Sequence, residues 1–424
     1  MKDVSRDFDN QLHGRPGSCN RGAILIVLMA GILAGSGLWL LQIAEANRKW
    51  QSHGQSTAES LALAKEALIA YAVNYADNYG HNVRGGTGRL PCPANSKYSG
   101  PALSCGEGKT GYLPAVWSRG SKRLDIDHVE KFLDQDFWYS VSPTFRFNPA
   151  FNALNSNSHS DLLTVDAVDK VVAVIIAPGP PLHGQDRASA NAGISDYLEG
   201  ENADQDLQFT VATQNTGSQT TTSGNDQLIW IRQSELLPYI EKRVLGYVKD
   251  WLLEYYDQNG YFPYAAPFED PGGECQTGLT AGRLPMGGGD CSEPGFGEFV
   301  SVTVAKFRPL KETWFNGSLW SDLIYYQVDP DCTPDGLISN CGHSDAEAGL
   351  QVQGIDARVL LVSAGQAIEL ITVGRMQSRA LHDDRSMVEF FETPELLAKQ
   401  NVVEFSAGAD SATEQANDQF VVIR

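Results

Sequence analysis

Hydrophobic positions along this chain follow three different periods. Ala23 to Ile43 reads AILIVLMAGILAGSGLWLLQI, 21 residues without a charge. As a helix rising 1.5 Å per residue, that run is long enough to cross a bilayer core. From Ser56 the spacing becomes helical and amphipathic. Leu61, Leu68, Ala72, Tyr75 and Tyr79 fall on one face, and Ser56 with Glu59 has the spacing of a capping box. Gly80 and the glycines at 85, 86 and 88 end this helix. The segment Gly88-Arg89-Leu90-Pro91-Cys92-Pro93 cannot continue it, because its prolines lack the N–H donor and restrict the residues before them. Short strand-like runs follow: Phe137 to Val141, Leu162 to Val165, Val171 to Ala177, Leu207 to Ala212 and Leu228 to Arg232.

Then the order begins again. Ile240, Val244, Tyr247, Trp251, Leu252 and Tyr255 form one apolar helical face, stopped by Asn259-Gly260. Gly282-Arg283-Leu284-Pro285 repeats the earlier GRLP. Leu323-Ile324-Tyr325-Tyr326 resembles Phe137-Trp138-Tyr139, and Ile355 to Val362 resembles Val168 to Val174. Asn225-Asp226-Gln227 leads into the last strand of the first half, as Asn417-Asp418-Gln419 does in the second. Matches in the same order imply a duplication. They predict an α+β fold: an N-terminal transmembrane helix, then two tandem modules, each a helix packed on a mostly antiparallel sheet. The predicted segments are a leader over 1–22, a membrane helix over 23–46, a first module over 47–233 and a second over 234–424.

Charge sets orientation and partners. Lys2, Arg6, Arg15 and Arg21 precede the apolar run and Arg48 and Lys49 follow it, which puts the N-terminus in the cytoplasm. The formal net charge of −20 argues against binding nucleic acid through its phosphates. Of the seven cysteines, Cys19 lies on the cytoplasmic side. The other six fall into three close pairs, Cys92 with Cys105, Cys275 with Cys291 and Cys332 with Cys341. Fifteen pairings are possible, and nearest-neighbour disulfides are the simplest, suited to an oxidising periplasm.

Asn20-Arg21-Gly22 followed by Ala23-Ile24-Leu25-Ile26-Val27-Leu28-Met29 resembles the start of a type IV prepilin or type II secretion pseudopilin. LALAKEALIAYAVNYADNYG with the following GRLPCP, residues 61 to 93, resembles pseudopilin-like proteins of Gram-negative bacteria. The resemblance implies cleavage between Gly22 and Ala23 by a prepilin peptidase. It also implies a single-pass inner-membrane protein, its bulk periplasmic, that partners other pilin-like or pseudopilin subunits. The family's usual Glu at the fifth mature position is Val27 here. The tip pseudopilin of type II secretion lacks that Glu too and is also large, so the resemblance implies a minor subunit at a tip or initiating an assembly. Two other readings remain from the residues: ordinary signal-peptidase cleavage after Ala44-Glu45-Ala46, or an uncleaved anchor on a periplasmic adhesin or ligand-binding protein.

Catalytic motifs are absent. There is no H-E-x-x-H, G-x-S-x-G or G-x-x-x-x-G-K-[ST], so the expectation is a non-enzyme without a cofactor. His159-Ser160-Asp161 reads as a polar turn, since triad geometry comes from the fold rather than adjacency. Asp329, Asp331 and Asp335, in DPDCTPDG, could offer oxygen ligands to Ca²⁺, an idea strengthened by calcium loops in several pseudopilins; a disulfide-closed acidic loop is the competing reading. Tyr261-Phe262-Pro263-Tyr264 follows a helix stop and is a candidate for contact between the two modules or with a partner.

Overall fold

The computed structural model describes residues 56–75, 87–97, 99–102, 105, 110–114, 136–146, 154, 161–189, 192–211, 224–270, 274–285, 287–289, 315, 320–336, 341, 349–370, 375–377, 379, 386–403 and 418–424. The predicted leader and membrane helix lie outside them. Among the described residues no helix is long and apolar enough to cross a membrane. The chain divides into two units, Met1–Ala58 and Glu59–Arg424, and the second holds both large sheets and the whole described core.

The protein is α+β. Helix α1 (residues 56–73) buries Leu61, Ala64, Leu68, Tyr71 and Ala72, the face expected from the 3.6-residue period. Helix α2 (Gln233–Asn259) buries Leu237, Ile240, Val244, Val248, Trp251 and Tyr255. It ends at Gly260, whose φ of 79° lets its N–H return to the Tyr256 carbonyl.

The first sheet contains β1 (Gly111–Tyr112), β2 (Trp138–Val141), β3 (Leu163–Val165), β4 (Val168–Ala177), β5 (Gln208–Phe209) and β6 (Gln227–Arg232). The second set is β8 (Ala281–Arg283), β10 (Ile324–Val328), β13 (Val359–Ser363) and β17 (Gln419–Ile423). It is accompanied by a small sheet of β11 (Gln351–Val352), β12 (Ile355–Asp356) and β16 (Val402–Val403). In chain order β7 (Glu274–Cys275), β9 (Gly287–Gly289), β14 (Glu369–Leu370) and β15 (Arg375–Met376) form two small paired ribbons.

Strand register places the two halves on one plan. Gly111, Tyr139, Ile175 and Ile229 stand in one row across β1, β2, β4 and β6. Gly282, Tyr326, Leu361 and Val421 stand in the corresponding row across β8, β10, β13 and β17. β5 pairs β3 in parallel as β16 pairs β11. Thr164 and Asp166 donate to Leu207 and Phe209; Gln351 and Gln353 donate to Asn401 and Val403. Even left-handed backbone positions recur, at Asp166 and Gln353 and at Gln205 and Lys399.

This register corrects one sequence match. Ala94 and Tyr112 exchange both backbone hydrogen bonds, and so do Ala266 and Arg283. Leu90 donates to Phe145 as Phe262 donates to Cys332. The counterpart of Gly282-Arg283-Leu284-Pro285 is therefore Gly111-Tyr112-Leu113-Pro114. The earlier GRLP at 88–91 matches Gly260-Tyr261-Phe262-Pro263. Tyr261 to Tyr264 is thus part of the fold's repeated plan, with Phe262 and Tyr264 both buried.

The VVAVIIA run of β4 is apolar throughout because both faces of the strand are covered. Ala173, Ile175 and Ala177 face the main core with the helices. Val174 and Ile176 belong to a second cluster with Trp138, Leu198 and Phe209, under the segment that joins β4 to β5. That segment positions the site described next.

Candidate functional site

A cavity of about 250 Å³ opens on the outer side of the first sheet, against the loop closed by the Cys92–Cys105 disulfide. It is lined by Asn95 and Ala102 from that loop, Thr110 and Tyr112 at β1, Trp138 on β2, and Gln205 before β5. Tyr112 stacks on Trp138 with ring centroids 4.5 Å apart, and Tyr197 leans against the indole at 5.3 Å. Burial and then the neighbouring Tyr197 push the Tyr112 hydroxyl up to about 12. Trp138 and Thr110 are only 5% and 4% exposed, yet Trp138 Nε1 and Thr110 Oγ1 have no hydrogen-bond partner.

A polar brace holds the far wall in place. Arg187 donates to the carbonyls of Gly179 at 2.7 Å, Asp196 at 2.9 Å and Tyr197 at 3.1 Å, with its guanidinium 5.2 Å from the Tyr197 ring centroid. Gln185 donates to Glu199 at 2.9 Å. The Glu199 N–H in turn donates to Asp226, and Asn202 adds a second bond to the same carboxylate.

The second half repeats the brace. Arg379 donates to the carbonyls of Gly365, Glu389 and Phe390 and lies over the Phe390 ring; Gln377 donates to Glu392, and the Glu392 N–H to Asp418. Sequence reading missed this network. Its signal is Gln-x-Arg, then Ile194-Ser195-Asp196-Tyr197-Leu198-Glu199 against Met387-Val388-Glu389-Phe390-Phe391-Glu392, ahead of the Asn-Asp-Gln already matched.

The braces carry a pH dependence. Burial first, then the adjacent Glu199, raises the Asp226 carboxyl to about 7 despite the Asn202 hydrogen bond. Burial, then Glu392, raises that of Asp418 well above the carboxylate range, opposed by the Gly365 N–H and Arg379. A carboxyl with a raised folded pKa holds its proton in the native state at a pH where the unfolded chain has released it. Its contribution is therefore present at low pH and fades as pH rises through that window. Asp418→Asn should gain stability relative to the parent as pH rises above the ordinary carboxylate range, read as the difference in thermal midpoints. A pH-independent difference would remove Asp418 as the titrating group.

The residues singled out from sequence sit elsewhere. Gly22 and Ala23 lie outside the described residues. Cys92 is bonded to Cys105 and Cys332 to Cys341; Cys275 is disulfide-bonded, and Cys291 lies outside the described residues. Asp329 caps a 3-10 turn (Pro330–Cys332), accepting from the Asp331 N–H at 2.8 Å and the Leu350 N–H at 2.9 Å. Its burial raises its pKa. Asp335 is exposed. Among the described residues, the acidic group whose oxygens converge within 4.8 Å is instead Glu201, Asp204 and Asp206, all exposed. Asp161 accepts from the Thr144 hydroxyl at 2.7 Å, while His159 and Ser160 lie outside the described residues. No family model, curated protein or solved structure matches this chain.

Proposed function

We propose that this chain is a non-enzymatic, pseudopilin-like minor subunit of a bacterial inner membrane, with the bulk of the chain in the periplasm. It would sit at the tip, or act as initiator, of a type IV pilus-like or type II secretion-like assembly. The observation that carries this reading is the order of parts: a basic leader ending in Gly22, an uncharged run of 21 residues, then helix-and-antiparallel-sheet architecture laid down twice. The Cys92–Cys105 and Cys332–Cys341 disulfides fit an oxidising compartment. Val27 in place of the usual Glu, and a head built from two repeats that would crowd a close-packed shaft, favour the end of a filament. Gly31, Gly35 and Gly37 would let neighbouring helices approach closely in the bilayer.

The N-terminus of the protein from native membranes tests this reading by mass spectrometry. A chain starting at N-methylated Ala23 is expected. A chain starting at Met1 or Asn47 would sink the prepilin reading and leave a tethered or secreted binding protein, which the cavity on the first sheet favours.

A further inference from the structure

We infer that a second copy of this chain docks on the first helix against helix, the outer face of α1 in one copy lying on the outer face of α2 in the other, whether or not the chain belongs to a filament. The two faces carry charges of opposite sign. On α1, Glu59, Ala62, Glu66 and Ala70 are exposed. On α2 the outer face runs through Tyr239, Lys242, Gly246 and Lys249, with Tyr239 58% exposed. Among the described residues, Glu59, Glu66, Lys242 and Lys249 take part in no ion pair. Their neighbours do: Lys65 is bonded to Glu235, and Arg243 donates to the Tyr247 hydroxyl. A solvated helix face gains from opposite charges three or four residues apart. No opposite charge stands at those distances from any of the four. Each face therefore keeps one sign over two turns. Asp250 is the exposed acid on this stretch of α2, and it lies past Lys249.

Spacing selects a second copy as the occupant. Glu59 and Glu66 are seven residues apart, as are Lys242 and Lys249. At 1.5 Å per residue each span is about 10.5 Å, so two such helices laid together close both pairs at once. The middle of each span is small, Ala62 on one helix and Gly246 on the other. Packed helix axes lie about 8–10 Å apart, closest where the contact residues are smallest. Glycine inside a helix costs stability relative to alanine. A Cβ at Gly246 would meet nothing within 4 Å, so packing inside the chain does not call for glycine there. A neighbouring helix crossing at that point does. Tyr239 and the Arg243–Tyr247 pair, its guanidinium 4.6 Å from the ring centroid, flank the crossing. Tyrosine and arginine are the residue types that most often anchor protein interfaces. Opposite potentials across such a contact fix its register as well as its partner.

The test is sedimentation velocity of the full chain in detergent, over a concentration series at low and at high salt. Self-association that weakens as salt rises is expected. Glu59→Lys with Glu66→Lys, and separately Lys242→Glu with Lys249→Glu, should each weaken it about tenfold or more, with the melting temperature unchanged. All four reversals in one chain should restore it, because the pairs are then re-formed with their signs exchanged. Gly246→Trp should block it by bulk alone. A parent that stays monomeric, association untouched by either double reversal, or a combined variant that fails to re-associate would overturn the inference. Loss with the lysine reversals alone would mean an acidic partner other than this chain and would overturn it too.

Discussion

Arg379→Met is expected to lower unfolding free energy by about 2–3 kcal/mol, the cost of leaving buried acceptors without their donor, measured by urea denaturation near neutral pH. The guanidinium is buried, and its burial draws its pKa below the ordinary arginine value against the pull of Asp418, Glu392 and Glu241. Methionine would fill much of the volume but satisfy none of the carbonyls of Gly365, Glu389 and Phe390. Arg187→Met removes the same set of bonds from the first half, but from a half-exposed position where water can replace them. It should cost about 1 kcal/mol. Equal costs would mean that burial does not set the energetics of the brace.

Gly282→Ala should also be damaging, about 1–3 kcal/mol or slightly more, read from the thermal midpoint. A Cβ at Gly282 would drive into the carbonyl oxygen of Ala266, a backbone atom that cannot swing aside. The displaced segment carries the paired bonds of Ala266 with Arg283, and through Arg283 the buried ion pair with Asp322. At the counterpart Gly111, the same Cβ would stand 2.8 Å from the Ala94 oxygen, so Gly111→Ala should be the milder change. If Gly282→Ala melted with the parent, the close approach of the two segments would be wrong.

The helices were legible because burial follows their period: Leu61, Leu68 and Ala72 on α1, and Ile240, Val244 and Trp251 on α2, are all on the core face. The strands were legible as the β-branched and aromatic runs Phe137 to Val141 and Val171 to Ala177, and the covering of Trp138–Val141 and of residues 171–177 on both faces explains why they do not alternate. The correspondence of the two sheets was legible at the strands, but the two GRLP segments misled. What the plan requires there is a glycine beside a carbonyl, followed by Leu-Pro, and Gly111 and Gly282 both supply it. The second position is free to be Tyr112 or Arg283.

The braces were not legible, since Glu392 and Asp418 read as surface charges until the fold brings Gln377 and Arg379 to them. The cavity was invisible for a similar reason. Its walls come from residues as far apart in sequence as Asn95, Trp138 and Gln205, with no local pattern to unite them.

Helix α2 opens the second repeat but does not belong to it alone. It packs on β13 and β17 and also on β4 and β6. Ile240 lies against Gly88, and Gln233 at its first turn donates to the Leu154 carbonyl while accepting from Gln366. Lys65 of α1 reaches Glu235 at 2.7 Å. Most chains built by tandem duplication keep a seam at which each copy could stand by itself. Here the seam has been closed: severing the chain at Gln233 would leave the first copy with a bare apolar wall where α2 had been. The two halves are therefore expected to unfold in one transition, a single peak in differential scanning calorimetry rather than two.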